Sequence, residues 1–322
     1  MQKFILPAAL LCLLMAACGG TAAKRAGAAS AGDAQTGGRL AAAPAERLEL
    51  PMPDVPAVLS EPSQQAAYII EHFWDAMDFA DTLRSHSTDF MEQNFSNFII
   101  FFPYAEPQAR RNAVDRLMTA AQADSTAYYK LADIAEKYLY DPNSPMLSED
   151  IYILFLEKLA DSPLAGEYGA LRYRYQLEAA LKNRPGDIAA DLTYVTREGR
   201  SCRLHSTPVD GALLIIFYDP ECDHCKGIMA SIYGDASISD AVADGRLAVL
   251  ALCSEGTREQ WESTAGSLPA EWGVGYVTSD ITGRQIYVLR AMPTLYLLDA
   301  DKRVVLKDAP PALVSQMFST EQ

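Results

Sequence analysis

The stretch Leu213-Leu214-Ile215-Ile216-Phe217-Tyr218-Asp219-Pro220-Glu221-Cys222-Asp223-His224-Cys225-Lys226 decides how this chain is read. Its first five residues are continuously apolar and predict a buried strand. Gly227 to Tyr233, just beyond, can form a helix. Two cysteines with a Cys-x-x-Cys spacing therefore fall where a strand hands over to a helix. The first turn of a helix carries backbone N–H groups without internal partners and a partial positive charge. A thiolate placed there is stabilised and is a nucleophile near neutral pH. The second cysteine, one turn inward, is placed to attack a mixed disulfide and close the ring. The same spacing can form half of a zinc site, which needs four ligands. Cys202 and Cys253 are singletons, so no second pair completes such a site. The expectation is redox chemistry without a metal or other cofactor.

Further along comes Ala291-Met292-Pro293-Thr294-Leu295-Tyr296-Leu297-Leu298-Asp299. A proline directly before a strand-like run is unusual, because it cannot donate to a central ladder. Together with the upstream Cys-x-x-Cys, Met292-Pro293-Thr294 resembles the thioredoxin family, in which a cis proline faces the active cysteines. X-Pro bonds alone adopt cis at low cost. The resemblance implies that Cys222 is the attacking nucleophile, Cys225 the resolving thiol and Pro293 the substrate-facing proline. Met292 and Thr294 would flank the substrate chain. His224 can donate to, or charge against, the Cys222 sulfur, while the Asp223 carboxylate opposes a negative sulfur.

Two departures from that family stand out. Its buried acid, six residues before the first cysteine, aligns with Ile216, and its usual tryptophan before that cysteine is Glu221. The proton of Cys225 must then pass to another group, with Glu221, Glu255 or water as candidates. The Thr-x-x-Cys pattern of peroxiredoxins is absent, since Asp219 stands three residues before Cys222. Cys253, after a predicted strand, has two readings, an approach to the site or to Cys202 and a buried inert thiol; the inert reading is preferred for both Cys202 and Cys253.

Around this centre the texture is that of an α/β domain over 187–322. Ile188 to Val195 alternates like a strand, and Gly199 to Leu204 returns as a hairpin. Leu247–Leu252 is a second buried run, a helix comes next from about Thr257, and Val274–Val277 is a short strand. Thr294–Leu298 and Arg303–Leu306 form a hairpin, and Pro311–Phe318 a closing helix. This order resembles membrane-anchored TlpA-like thiol–disulfide oxidoreductases, a resemblance that tilts the direction towards reductant.

Residues 61–186 read as an all-α domain. Apolar residues recur at helical spacing from Ser63, from Thr88, over Arg110–Ala123 and Ser125–Tyr140, after Ser148, and over Tyr168–Leu181. Asp141-Pro142-Asn143-Ser144-Pro145 breaks the run, and Asn183-Arg184-Pro185-Gly186 ends it. Lys137 to Pro145, with Glu71-His72-Phe73-Trp74-Asp75 upstream, is similar to a helical domain of unknown function that precedes thioredoxin-like domains in Gram-negative lipoproteins. That family supplies no chemistry.

The N-terminus reads as an export leader over residues 1–17, with Lys3 followed by an apolar run. It ends Met15-Ala16-Ala17-Cys18-Gly19, which resembles the bacterial lipoprotein cleavage box, with Met15 in place of the usual leucine. The resemblance implies lipidation at Cys18; the competing reading is an ordinary leader cut nearby. Residues 18–60, rich in Ala, Gly and Pro, read as a tether. Lys24 and Arg25, without an acidic cluster, point to the periplasmic face of a Gram-negative membrane.

The chain of 322 residues is 49% hydrophobic and 21% charged, enough for two ordinary domains. Its formal charge of −15, with no basic patch interleaved with aromatics, argues against nucleic acid. The expected partners are exported protein thiols or disulfides, a membrane redox partner for recycling, and the membrane through the lipid. A different class of function stays open: a partner-binding lipoprotein whose Cys-x-x-Cys is structural or vestigial.

Overall fold

The computed structural model describes residues 48–284 and 286–319. The first part is helical: α1 (Pro62–His72), the short α2 (Thr82–Ser85), α3 (Thr88–Ile99), α4 (Pro107–Ala121), α5 (Ser125–Leu139), α6 (Glu149–Ala160) and α7 (Gly166–Ala180). Local chemistry sets the ends. Ser87 caps α3 by accepting from the Phe90 N–H, and Asp124 caps α5 through the Ala127 N–H. Pro62 opens α1, where its missing N–H costs nothing, so the start lies at Glu61 rather than Ser63. Ser148 precedes α6 as expected, but its hydroxyl makes no capping bond.

One core runs through these helices. Phe73, Trp74, Phe98 and Phe102 interlock, with Phe98 and Phe102 edge to face at 4.8 Å. The helical spacing from Ser63 predicts that Tyr68, Phe73 and Trp74 face one core; in the structure Tyr68 is only half-buried and packs against His72 at 4.3 Å, because α1 turns it off the buried stripe. The far end of the segment 18–60, expected to be a free tether, is packed on the helices. Leu50 is buried, its N–H donates to Asn94 Oδ1 at 2.7 Å, and Asn94 Nδ2 donates to the Leu48 carbonyl. Cys18 and the leader lie outside the described residues.

The second part contains a seven-stranded sheet: β1 (Thr193–Thr196), β2 (Ser201–Arg203), β3 (Ala212–Tyr218), β4 (Leu247–Cys253), β5 (Gly273–Val277), β6 (Thr294–Leu298) and β7 (Val304–Lys307). Their order is β2-β1-β5-β4-β3-β6-β7. The central strand β3 runs parallel to β4 and antiparallel to β6. Buried on both faces, it is apolar throughout rather than alternating. Its period of two still sorts its side chains. Leu214, Ile216 and Tyr218 join one core, and Leu213, Ile215 and Phe217 the other.

Helices α8 (Asp223–Gly234), α9 (Ala236–Ala243), α10 (Arg258–Thr264) and α11 (Pro311–Phe318) pack on the Tyr218 side. Sequence periodicity did not reveal α9, eight residues long and capped by Asp235 through the Ile238 N–H. The described residues form one compact unit. Lys307 at the end of β7 joins its two parts. Its Nζ reaches Glu149 Oε2 at 2.6 Å and the Lys182 carbonyl at 2.8 Å. Arg290 bridges as well: it ion-pairs with Asp308, donates to the Tyr140 carbonyl and lies 4.2 Å from the Tyr140 ring centroid.

Candidate active site

The buried strand β3 delivers Tyr218 to the sheet's end, and Asp219-Pro220-Glu221 make the turn. Asp219 organises it: its Oδ1 accepts from the Glu221 N–H at 2.8 Å and its carbonyl from the Cys222 N–H at 3.2 Å. Cys222 is thereby the N-cap of α8. Its Sγ accepts the Cys225 N–H at 3.2 Å, the role a serine or aspartate oxygen usually fills. A negative sulfur there meets both a donor and the positive end of the helix.

The two thiols differ sharply. Cys222 is half-exposed, whereas Cys225 is fully buried. Burial pushes the Cys225 thiol up to about 12; a contact with the Asp219 backbone works against this, and the nearby Cys222 sulfur and Asp219 charge add to it. Cys225 thus keeps its proton at neutral pH until something removes it. Asp219 and Cys225 line the same cavity of about 440 Å³, walled by Met229, Leu268 and Trp272.

Cys253 sits opposite Tyr218 in the β3–β4 register, and its Sγ donates to the Glu255 carbonyl at 3.1 Å. Burial pushes this thiol up to about 12 as well, with the Asp219 charge adding to the effect. Cys202 lies on the edge strand β2, separated from β4 by β1 and β5. The two extra cysteines therefore do not meet each other.

Among the residues singled out from sequence, Asp223 is engaged elsewhere. It ion-pairs with Lys226 at 2.9 Å, and that hydrogen bond and charge hold its carboxyl below the usual range. His224 is exposed and makes no hydrogen bond to Cys222; it lines a second cleft instead. The Met292–Pro293 bond is cis. Thr294 opens β6 opposite Phe217, and Met292 packs on the same core as Cys222. Thr294 is 5% exposed and its hydroxyl turns back to the Ala291 carbonyl at 2.6 Å, so its side chain is committed to the turn. Ile216 is fully buried between Ala251 and Leu295, so no acid occupies that position. The carboxylate whose charge reaches both buried thiols is Asp219, not Glu221 or Glu255, which are exposed. An acid at the strand's last turn, three residues before Cys222, is the signal that would have found it.

Comparison with known proteins bears on this arrangement. Residues 17–183 match a family described as a domain of unknown function, DUF5106. The chain belongs to that family. The DUF5106 match contains the helices α1 to α7, and the sheet domain beyond it has a thioredoxin-like fold. The whole is similar to the crystal structure of a thioredoxin-like protein from Bacteroides caccae. That likeness has 32% identity and a TM-score of 0.78, covering 83% of this chain and 97% of that one. A conserved protein of unknown function from Bacteroides fragilis is 36% identical over 42% of this chain and 99% of its own, with a TM-score of 0.40. The thioredoxin domain of a thiol-disulfide oxidoreductase from Bacteroides vulgatus is 16% identical, covering 42% and 99%, with a TM-score of 0.37. No curated protein matches the sequence.

Proposed function

We propose that this protein is a thiol–disulfide oxidoreductase of the cell envelope that reduces disulfides in exported proteins. One observation carries the reading: a half-exposed Cys222 caps α8 with its sulfur, and a buried, protonated Cys225 stands one turn behind it. The reaction follows from that asymmetry. The Cys222 thiolate attacks a substrate disulfide, forming a mixed disulfide and expelling one substrate thiolate, which takes up a proton. Cys225 then gives its proton to the Asp219 carboxylate, directly or through a water in their shared cavity. Its sulfur attacks Cys222 Sγ, closes the Cys222–Cys225 disulfide and expels the second substrate thiolate. The protein loses two electrons and the substrate gains two.

The direction rests on the TlpA-like resemblance and on one physical point. A heavily stabilised thiolate makes an oxidant, because the reduced form is favoured. Here Cys222 Sγ receives one backbone N–H and no cationic side chain bonds to it among the described residues. A membrane thiol donor would return the pair to the dithiol, and lipidation at Cys18 would hold the protein on the periplasmic face. Met292 and Pro293 would face the substrate chain. We take 61–186 and 187–322 as the two functional parts.

Trapping tests this reading. Replacing Cys225 by Ser removes the resolving thiol and leaves the attacking one. That variant should accumulate dithiothreitol-reversible adducts with envelope proteins, and Cys222→Ser should accumulate few. The competing reading, a partner-binding lipoprotein with a structural Cys-x-x-Cys, requires none from either variant.

A further inference from the structure

On the face of α8 away from the Asp219 cavity lies a larger cleft of about 860 Å³, within the range of binding sites. One wall belongs to the redox centre: His224 and Ile228 of α8, with Met292 and Pro293. The opposite wall comes from the helical part, from residues 142–150, which are the end of the α5–α6 connection and the first turn of α6. A substrate reaching Cys222 along Met292 would therefore lie against residues of the DUF5106 region.

Three observations define what the cleft accepts. The backbone N–H and carbonyl of Met292, two residues before β6 begins, make no hydrogen bond to the rest of the described chain. They are open to an extended strand of another chain, whose groups they would satisfy. The charges in the cleft are compensated internally. Glu149 pairs with Lys307, Asp308 with Arg290, and Asp150 with Arg184 at 2.9 Å. A charged visitor would lose hydration and find no free counter-charge. The rest of the lining mixes neutral polar side chains (Asn143, Ser144, Ser148) with apolar ones (Leu147, Ile228, Leu313), and Pro142 and Pro145 stiffen the far wall.

We infer that the 142–150 segment is a substrate-reading wall, and that the cleft takes an extended, uncharged segment with apolar residues flanking the disulfide. Such a segment is a stretch of unfolded or misoxidised polypeptide rather than a small disulfide or a charged surface loop. The inference rests on the redox reading and adds the substrate class.

The test uses the full-length protein, pre-reduced and freed of reductant. It is mixed with 5,5′-dithiobis(2-nitrobenzoate) and with two nine-residue peptides, each with a central cysteine disulfide-linked to nitrothiobenzoate. One peptide has Leu and Val flanks, the other Asp, Glu and Lys flanks, and chromophore release gives second-order rate constants. The apolar peptide should react at least tenfold faster than the charged one. Asn143 is exposed on the far wall; its backbone N–H donates to Asp141 Oδ1 at 2.8 Å and its side-chain Nδ2 to the same oxygen at 3.2 Å, so a substitution keeps the shorter of the two bonds that hold the turn. Asn143→Trp should lower the ratio of apolar-peptide to small-disulfide rates at least tenfold, with the thermal melt confirming the fold. Equal rates for the two peptides, or an unchanged ratio in Asn143→Trp, overturns the inference and leaves the redox reading standing. If the wild-type thiols reduce neither the small disulfide nor the peptides, the redox reading falls and the inference with it.

Discussion

Replacing Asp219 by Asn separates two opposite consequences of one carboxylate. Burial first, with the Cys222 sulfur and the Asp219 charge adding to it, pushes the Cys225 thiol up to about 12, so Cys225 is protonated at pH 7. If Asp219 were only a nearby charge, its removal would ease ionisation and speed resolution of the mixed disulfide. If it accepts the Cys225 proton, its removal takes away a general base, a contribution of about 10²–10⁴ in rate. The base role must win for the proposed mechanism to hold. The expectation is slower resolution in Asp219→Asn, by about 10²-fold at pH 7. The variant's rate should rise about tenfold per pH unit toward 12, as hydroxide replaces the missing base. Rapid acid quenching of pre-reduced protein mixed with a peptide disulfide, followed by mass spectrometry, measures the mixed disulfide as it forms and decays. Its formation, which needs only Cys222, should change far less than its decay. Decay in Asp219→Asn as fast as in the parent, or faster, refutes the assignment.

Lys307→Met leaves Glu149 at the joint between the two parts without its 2.6 Å partner. Breaking a buried ion pair costs about 3–5 kcal/mol, and Arg290 at 3.9 Å from Glu149 keeps the loss near the lower figure. A urea midpoint unchanged by the substitution would show that the pair contributes nothing. Gly275 lies where a Cβ would stand 2.4 Å from Tyr194 Cδ2, so Gly275→Ala should cost about 1–3 kcal/mol by overpacking, read from the thermal midpoint. Acid should weaken the hairpin end of the sheet. The His205 N–H and Arg203 hold the Asp191 carboxyl below its ordinary 3.8 despite the opposing effect of burial. A depressed folded value means stability that is full above the unfolded value and is lost as pH falls through 3.8 and below. Asp191→Asn should flatten that part of the stability–pH curve. Cys18→Ser should move the protein from the membrane to the soluble fraction of the envelope; full retention on membranes rejects lipid anchoring at that residue.

Much of the sheet could be read in the chain because β3 is buried on both faces and leaves no ambiguity of pattern. The succession of strands along the chain and the closing helix at Pro311 came from local pattern, and the placement of Pro293 from the thioredoxin-like resemblance; the order of strands across the sheet came from the structure. Caps and prolines marked most helix ends. The differences have separate local causes. Spacing alone puts Tyr68 in the core and the helix start at Ser63, and a one-residue shift in where α1 begins changes which face is buried. Thr294 looks available to a substrate, but its hydroxyl has a nearer partner in Ala291. The short α9 carries too few turns for its period to show.

By itself the sequence determined that two cysteines sit at a strand-to-helix turn, because an apolar run, a turn and a helix-compatible segment are local facts. It determined the helical character of the first part for the same reason. Only the tertiary structure showed that the Asp219 charge bears on both buried thiols, Cys225 and Cys253. Asp219 faces Cys225 and Cys253 because β3 and β4 end side by side, and no spacing along one strand reports what its neighbour brings. It alone also set the 142–150 segment across a cleft from Met292. That juxtaposition depends on Arg290, Lys307 and Glu149 meeting from segments about 150 residues apart, and long-range charge pairing leaves no periodic trace in a sequence.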